Sequence, residues 1–172
     1  MKPRITPTAH ERTMRDQDFI VSKTDPRGRI VYANRIFMEF AGYSEKELLG
    51  TQHNIVRHPD MPRSVFKFMW ETLESGREFF GYVKNMASDG SFYWVFANVT
   101  PTFDTQGRIK GYYSVRRRPN AEAVRQVGQL YADMLAAERA AGPKNAIDTA
   151  RRMLDDSLRS RNVSYEEFVL AL

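Results

Sequence analysis

Apolar residues in the first two thirds of the chain fall in short alternating runs, and in the last third they recur every three or four positions. Residues 19–24 read as a strand, Asp25-Pro26-Arg27-Gly28 as a turn with proline in its second place, and residues 29–33 as the returning strand of a hairpin. Ile36, Phe37, Phe40 and Ala41 then follow helical spacing until Gly42 stops them. Ser44-Glu45-Lys46-Glu47 is a capping-box sequence that opens a short helix closed by Gly50. Val65, Phe68, Met69, Thr72 and Leu73 share one face of a further helix, with Trp70 beside it and Gly76 at its end. Strands are expected at 79–86, 92–100 and 109–118, the first two joined through a turn containing Asp89-Gly90. Two strands, several short helices and three more strands make an α+β fold: a five-stranded antiparallel sheet with its helices gathered on one face.

The pattern changes at Pro119. Asn120 caps a helix striped by Val124, Val127, Tyr131, Met134 and Leu135, and Gly142-Pro143 breaks it. Ile147, Ala150, Leu154 and Leu158 stripe a second helix, and Ser164-Tyr165-Glu166-Glu167 caps a short third one. The chain therefore divides into an N-terminal cap or tail (1–18), which could include a short helix, a sheet domain (19–118) and an amphipathic helical extension (119–172). The extension's apolar faces must pack on each other, on the sheet or on a second copy.

One decapeptide stands apart: His53-Asn54-Ile55-Val56-Arg57-His58-Pro59-Asp60-Met61-Pro62. It holds two of the three histidines, and its prolines push His58 and Met61 towards extended backbone. The stretch is expected to form a rigid polar ledge between two helices, with Asp60 as N-cap of a helix beginning at Met61.

Composition narrows the chemistry. Cysteine is absent, which excludes disulfides, thiolate metal sites and thiol adducts. The formal charge of +5 is spread through the chain, without a base-reading helix or a basic stripe, so nucleic acid is not the expected partner. No apolar run is long enough to span a bilayer and the polar start lacks a signal-peptide core, which predicts a soluble, cytoplasmic protein without membrane insertion. No nucleophile–base pair or metal-ligand cluster stands out, so an enzyme is not expected.

Gly-Arg-Ile-Val-Tyr-Ala-Asn followed by Phe-x-x-Phe-Ala-Gly-Tyr-Ser-x-x-Glu-Leu-Leu-Gly resembles a PAS domain across residues 18–118. The decapeptide, Trp70, Val83-Lys84-Asn85 and Tyr93-Trp94-Val95-x-Ala97-Asn98 resemble more closely the flavin-binding PAS domains of the aerotaxis-receptor type. The resemblance does not extend to residues 119–172. It implies non-covalent FAD, a redox or oxygen sensor (light being a further stimulus), and output to a signalling protein of the chemoreceptor or histidine-kinase type, while the amphipathic helices that follow an aromatic outer face predict a homodimer. Alternatives are a haem-binding PAS gas sensor using His53 or His58, and a cofactor-free interaction module.

The same resemblance names the cofactor-binding candidates: Asn34, His53, Arg57, His58, Asp60, Trp70, Asn85, Val95, Ala97, Ser114 and Arg116. An asparagine amide suits an imide-like ring edge, and a guanidinium suits a phosphate or the ring's polar edge. Asp60 reads better as a cap and partner of Arg57 or His58 than as a contact of an anionic cofactor. Several have plainer roles open: Asn34 as a helix cap, Asn85 in a turn, Trp70 in the core, and Arg116 to Arg118 on the surface. Alternation turns Trp94, Phe96 and Asn98 to the opposite face, where Tyr112 is also expected. Alignment with light-sensing LOV domains puts His53 where those proteins carry their adduct-forming cysteine.

Overall fold

The computed structural model describes residues 5–172. Its elements are β1 (Ile20–Thr24), β2 (Ile30–Ala33), α1 (Arg35–Ala41), α2 (Glu45–Leu48), a 3₁₀ turn (His53–Val56), α3 (Arg63–Glu74), β3 (Phe79–Met86), β4 (Phe92–Phe103), β5 (Ile109–Arg117), α4 (Ala121–Ser160) and α5 (Tyr165–Ala171). The strands form one antiparallel sheet in the order β2-β1-β5-β4-β3. Adjacent hairpins build the two edges, and β5 closes the centre by pairing with the first strand.

Register decides the two faces. Ala97 pairs with both Gly81 and Arg116, and Arg116 with Ile20, which puts these four on the inner face. Phe79, Val83, Asn85, Tyr93, Val95, Val99, Ser22, Ser114 and Tyr112 follow by period two. Tyr112 is thus an inner-face residue, contrary to its expected place beside Trp94 and Phe96. It lies two and four positions from Ser114 and Arg116, so the pleat leaves it no other side.

The short helices cover the inner face. Asn34 caps α1 by accepting from the Phe37 backbone N–H at 3.0 Å, and also ties β1 through the Val21 N–H and the Phe19 carbonyl. The capping box expected at Ser44 and Glu47 is present, and Gly42 ends α1 at φ 69°, an αL position that suits glycine. A core of Phe37, Phe40, Leu48, Val56, Tyr93 and Val95 fills the space behind the cavity described below. Residues 5–18 form no helix. They lie along the β3–β4 turn, Glu11 bridging Phe92, and insert Met14 into that core.

Helix α3 starts later than expected. Pro62 is its N-cap and has no side-chain group to offer, so Asp60 is not the cap. Asp60 instead pairs with Lys84 Nζ at 2.7 Å. The free N–H groups of Arg63 and Ser64 are accepted at 3.2 and 2.9 Å by Glu138, which comes from α4. A helix whose own sequence lacks a cap has borrowed one from 74 residues away.

The extension folds onto the sheet's outer face. Asn120 caps α4, and Gly142 (φ 72°, ψ 167°) divides it into two helical halves where Gly142-Pro143 predicted a break. Ala123, Val127, Tyr131 and Met134 of the first half cover Tyr82, Trp94 and Phe96, with Tyr131 donating to the Tyr82 carbonyl at 2.8 Å. The second half turns along α3, where Arg151 pairs with Glu71 at 3.1 Å and lies over the Phe68 ring. Helix α5 returns to the sheet edge and stacks Tyr165 on Phe79.

Candidate functional site

Between the inner face and the layer made by the 3₁₀ turn and α3 lies a cavity of about 230 Å³. Its apolar walls are Val56, Phe66, Met69, Trp70, Leu73, Phe79, Val83, Ala97, Val99 and Tyr112. Trp70 and Tyr112 meet edge to face at 5.2 Å across one end. Gly28 approaches there so closely that a Cβ would lie 3.4 Å from the Trp70 ring, at a φ of 77° that few other residues adopt. Polar groups enter at separate points: Ser22, His53, Ser114 and Arg116 together, Asn85 with Arg57 at the β3 edge, and Gln52 and Asn54 exposed at the mouth. This mixture of broad apolar walls and a few placed polar groups is the ordinary form of a small-molecule site.

Arg116 dominates the electrostatics. It is 3% exposed, donates to Ser22 Oγ, stands over the Phe37 ring at 4.6 Å, and leaves its Nε without a partner. Burial holds its pKa down to about 10, and among the described residues no carboxylate pairs with it. Isolated buried cations are costly, so this one calls for an anion or a strong acceptor in the cavity.

His53 sits beside it. Its Nε2 is 3.0 Å from Ser22 Oγ and 3.4 Å from Arg116 Nη1, and its ring stacks on Phe37 at 5.5 Å. Arg116 can only donate, so a bare Nε2 suits it and leaves the Ser22 hydroxyl to donate there too, the arrangement of a neutral His53. His53 keeps some accessible surface because it lines the cavity, but protein surrounds the rest of it. Burial, reinforced by the Arg116 charge, holds its pKa down to about 3.

Arg57 reaches the cavity from the ledge. Its backbone bridges Asn85, its guanidinium donates to the Met61 carbonyl at 3.2 Å, and it covers the Phe66 ring at 4.3 Å. The ledge is a 3₁₀ turn, a short extended stretch at Arg57 and a tight turn closed by the Met61 N–H on the His58 carbonyl, not a helix end, because Pro59 and Pro62 deny a continuous ladder.

Of the residues singled out from the sequence, His53, Arg57, Trp70, Asn85, Ala97, Ser114 and Arg116 line this one cavity. Four do not. Asn34 is spent as the α1 cap. Val95 faces inward but is wholly covered by core. His58 is buried outside the cavity, its Nδ1 accepting from the Asp60 N–H, and Asp60 projects outward to Lys84. Ser22, Thr24, Gln52 and Asn54 were not anticipated. Ser22 and Thr24 carried no local signal, because their inward register is set by the pairing of β1 with β5, opposite Ser114 and Tyr112.

Comparison with known proteins matches these features. A family model described as the PAS fold covers residues 30–116. The chain is 41% identical over 124 residues to the aerotaxis receptor of Escherichia coli (strain K12), covering 72% of this chain and 24% of the receptor. It is 34% identical over 97 residues to the nitrogen fixation regulatory protein of Klebsiella pneumoniae, 56% of this chain and 20% of that protein. The chain therefore spans a quarter or less of the length of either curated relative. Among solved structures, the dark structure of the LOV domain of the blue-light photoreceptor Aureochrome1 superposes with a TM-score of 0.54 at 26% identity, over 68% of this chain and 83% of that one. With a family match over half of its length, the chain belongs to the PAS fold family.

Proposed function

We propose that this protein is a sensory module that holds FAD non-covalently in the cavity and passes its redox state to a partner signalling protein. The observation that carries the reading is the buried Arg116 guanidinium, which has no carboxylate partner among the described residues and lines, with His53 and Ser114, a slot walled by aromatic and branched side chains. The cavity is somewhat smaller than the ~300–1,000 Å³ of sites that enclose drug-sized ligands. The apolar walls would hold a flat ring system, and Gln52, Asn54 and Arg57 would hold the part of the cofactor left outside. Thr24 Oγ1, a second buried polar atom without a partner, also belongs to a residue of this lining.

A bound flavin would supply reversible electron transfer. The protein's own residues do the rest. Asn85 offers a donor and an acceptor to the ring's imide edge. Arg116 would supply positive charge close to a ring that gains electron density on reduction, and neutral His53, its Nε2 held by Ser22, adds no second positive charge beside it. Arg57, at the β3 edge beside Asn85, would hold phosphate. With no cysteine in the chain, a covalent thiol adduct is excluded.

A haem reading has little geometric support: His58 lies outside the cavity, and the Nε2 of His53 is held by Ser22 with Arg116 beside it. Output passes through strands β3 and β4, which carry the cavity on one face and α4 on the other. The partner is a signalling protein of the chemoreceptor or histidine-kinase type, and the working unit is a homodimer. The deciding experiment is the absorption spectrum of the purified protein with identification of what heat releases. FAD is expected; haem, or a folded colourless protein that takes up no added FAD, would overturn the reading.

A further inference from the structure

The expected cap of α3 failed in a way that links the cavity to the C-terminal helices. Glu138 is 6% exposed, and its two oxygens accept from the N–H groups of Arg63 and Ser64 and from Ser64 Oγ at 2.8 Å. A carboxylate at a helix N-terminus satisfies orphan donors and complements the helix dipole. This contact also closes the bend of α4, four residues before Gly142, where the helix leaves the sheet for α3.

Arg57 lies behind the same helix start. Its guanidinium binds the Met61 carbonyl two residues before Arg63, and Glu138 opposes the lowering of its pKa that burial causes. Arg139, the next residue of α4, helps hold the Asp60 pKa down from the other side of the ledge. The first half of α4 is therefore latched to the cavity rim at one helix start, where Glu138 accepts from Arg63 and Ser64 and Arg57 donates to the Met61 carbonyl just before them.

We infer that Glu138 is a positioning residue whose attraction for Arg57 competes with a phosphate-bearing ligand, so that filling the cavity loosens the α4 latch. The inference rests on the flavin reading of the cavity. A phosphate on Arg57 would neutralise a positive charge at the helix start that Glu138 caps and add a negative one beside it, which weakens the latch. By linkage, weakening the latch strengthens the phosphate contact by the same factor.

The test compares FAD with riboflavin, which carries the same ring and no phosphate, on the full chain. Amide hydrogen exchange at Ser64, Val65 and residues 138–150 should quicken with FAD by about fivefold or more relative to riboflavin. In Glu138→Gln the ratio of riboflavin to FAD dissociation constants should rise by a similar factor, while Glu138→Asp, which keeps the charge, should leave it near the wild-type value. A role in packing alone would weaken both flavins together and leave the ratio unchanged. Equal exchange with both ligands in the wild type overturns the latch without reference to any variant. Failure of the wild type to bind either flavin overturns the cavity's assignment instead, and the latch with it.

Discussion

Arg116 and His53 face one another across 3.4 Å at the cavity wall, with Ser22 hydrogen-bonded to the first and 3.0 Å from the second. A full positive charge beside a neutral imidazole, both enclosed, is an arrangement that costs stability and persists where function uses it.

The imidazole gives the protein a pH signature. His53 has a folded pKa of about 3, against 6.5 for the free side chain. The unfolded chain therefore binds this proton first, and the stability gained from neutral His53 is complete above pH 6.5 and lost as pH falls from there towards 3. Urea unfolding at pH 7 and 4.5 should show a loss that shrinks in His53→Asn. His58 is also shifted down and contributes in the same direction, so the difference between wild type and variant is the informative quantity. Parallel losses in both would remove His53 from the account.

Arg116→Met should separate stability from binding. Without ligand, replacing an unpaired buried cation by an apolar chain of similar length should raise stability by on the order of 1 kcal/mol. FAD affinity should fall in the same variant. If stability falls instead, the links to Ser22 and Phe37 outweigh the burial of the charge.

Arg57→Ala should lose a charge-assisted contact to the cofactor, roughly 1.5–3 kcal/mol of binding. Its far-ultraviolet circular dichroism should be unchanged, because the ledge's backbone is set by prolines and by the bridge to Asn85. Wild-type affinity for FAD would place Arg57 outside the site.

Removing residues 120–172 should uncover Tyr82, Trp94, Phe96 and Met61 and leave α3 without its cap. Contiguous exposed apolar surface of this kind drives association. Light scattering should show larger assemblies for the truncated chain, and trypsin should cut near Arg63 sooner. A monodisperse product of unchanged state would mean that the outer face does not depend on this cover.

The Gly90→Ala variant should loosen the N-terminal segment. Gly90 has φ 86°, and a Cβ there would meet the Thr6 carbonyl oxygen at 2.2 Å. Strain together with displacement of residues 5–12 should cost about 1–3 kcal/mol, read as a lower urea midpoint. An unchanged midpoint would show that the segment is not anchored through this turn.

Much of this was legible in the order of the residues because it is local. Strand alternation, the Asp89-Gly90 turn, the capping boxes at Ser44 and Ser164 and the break at Gly142 depend on neighbours within a few positions, so spacing reveals them. Seven of the residues named from the decapeptide and the resemblance line one cavity.

What only the tertiary structure decided are relations between segments far apart in the chain. Pairing of β1 with β5 brought Ser22 beneath Arg116 and placed Tyr112 in the wall, since inward and outward are properties of a sheet and not of a single strand. The prolines of the ledge showed where one helix had to stop, but the next began without a cap of its own. Glu138 could supply that cap because α4 bends at Gly142 and passes close to Ser64. A carboxylate 74 residues downstream leaves no periodic trace in the sequence, because its partner is a backbone N–H that every residue but proline possesses.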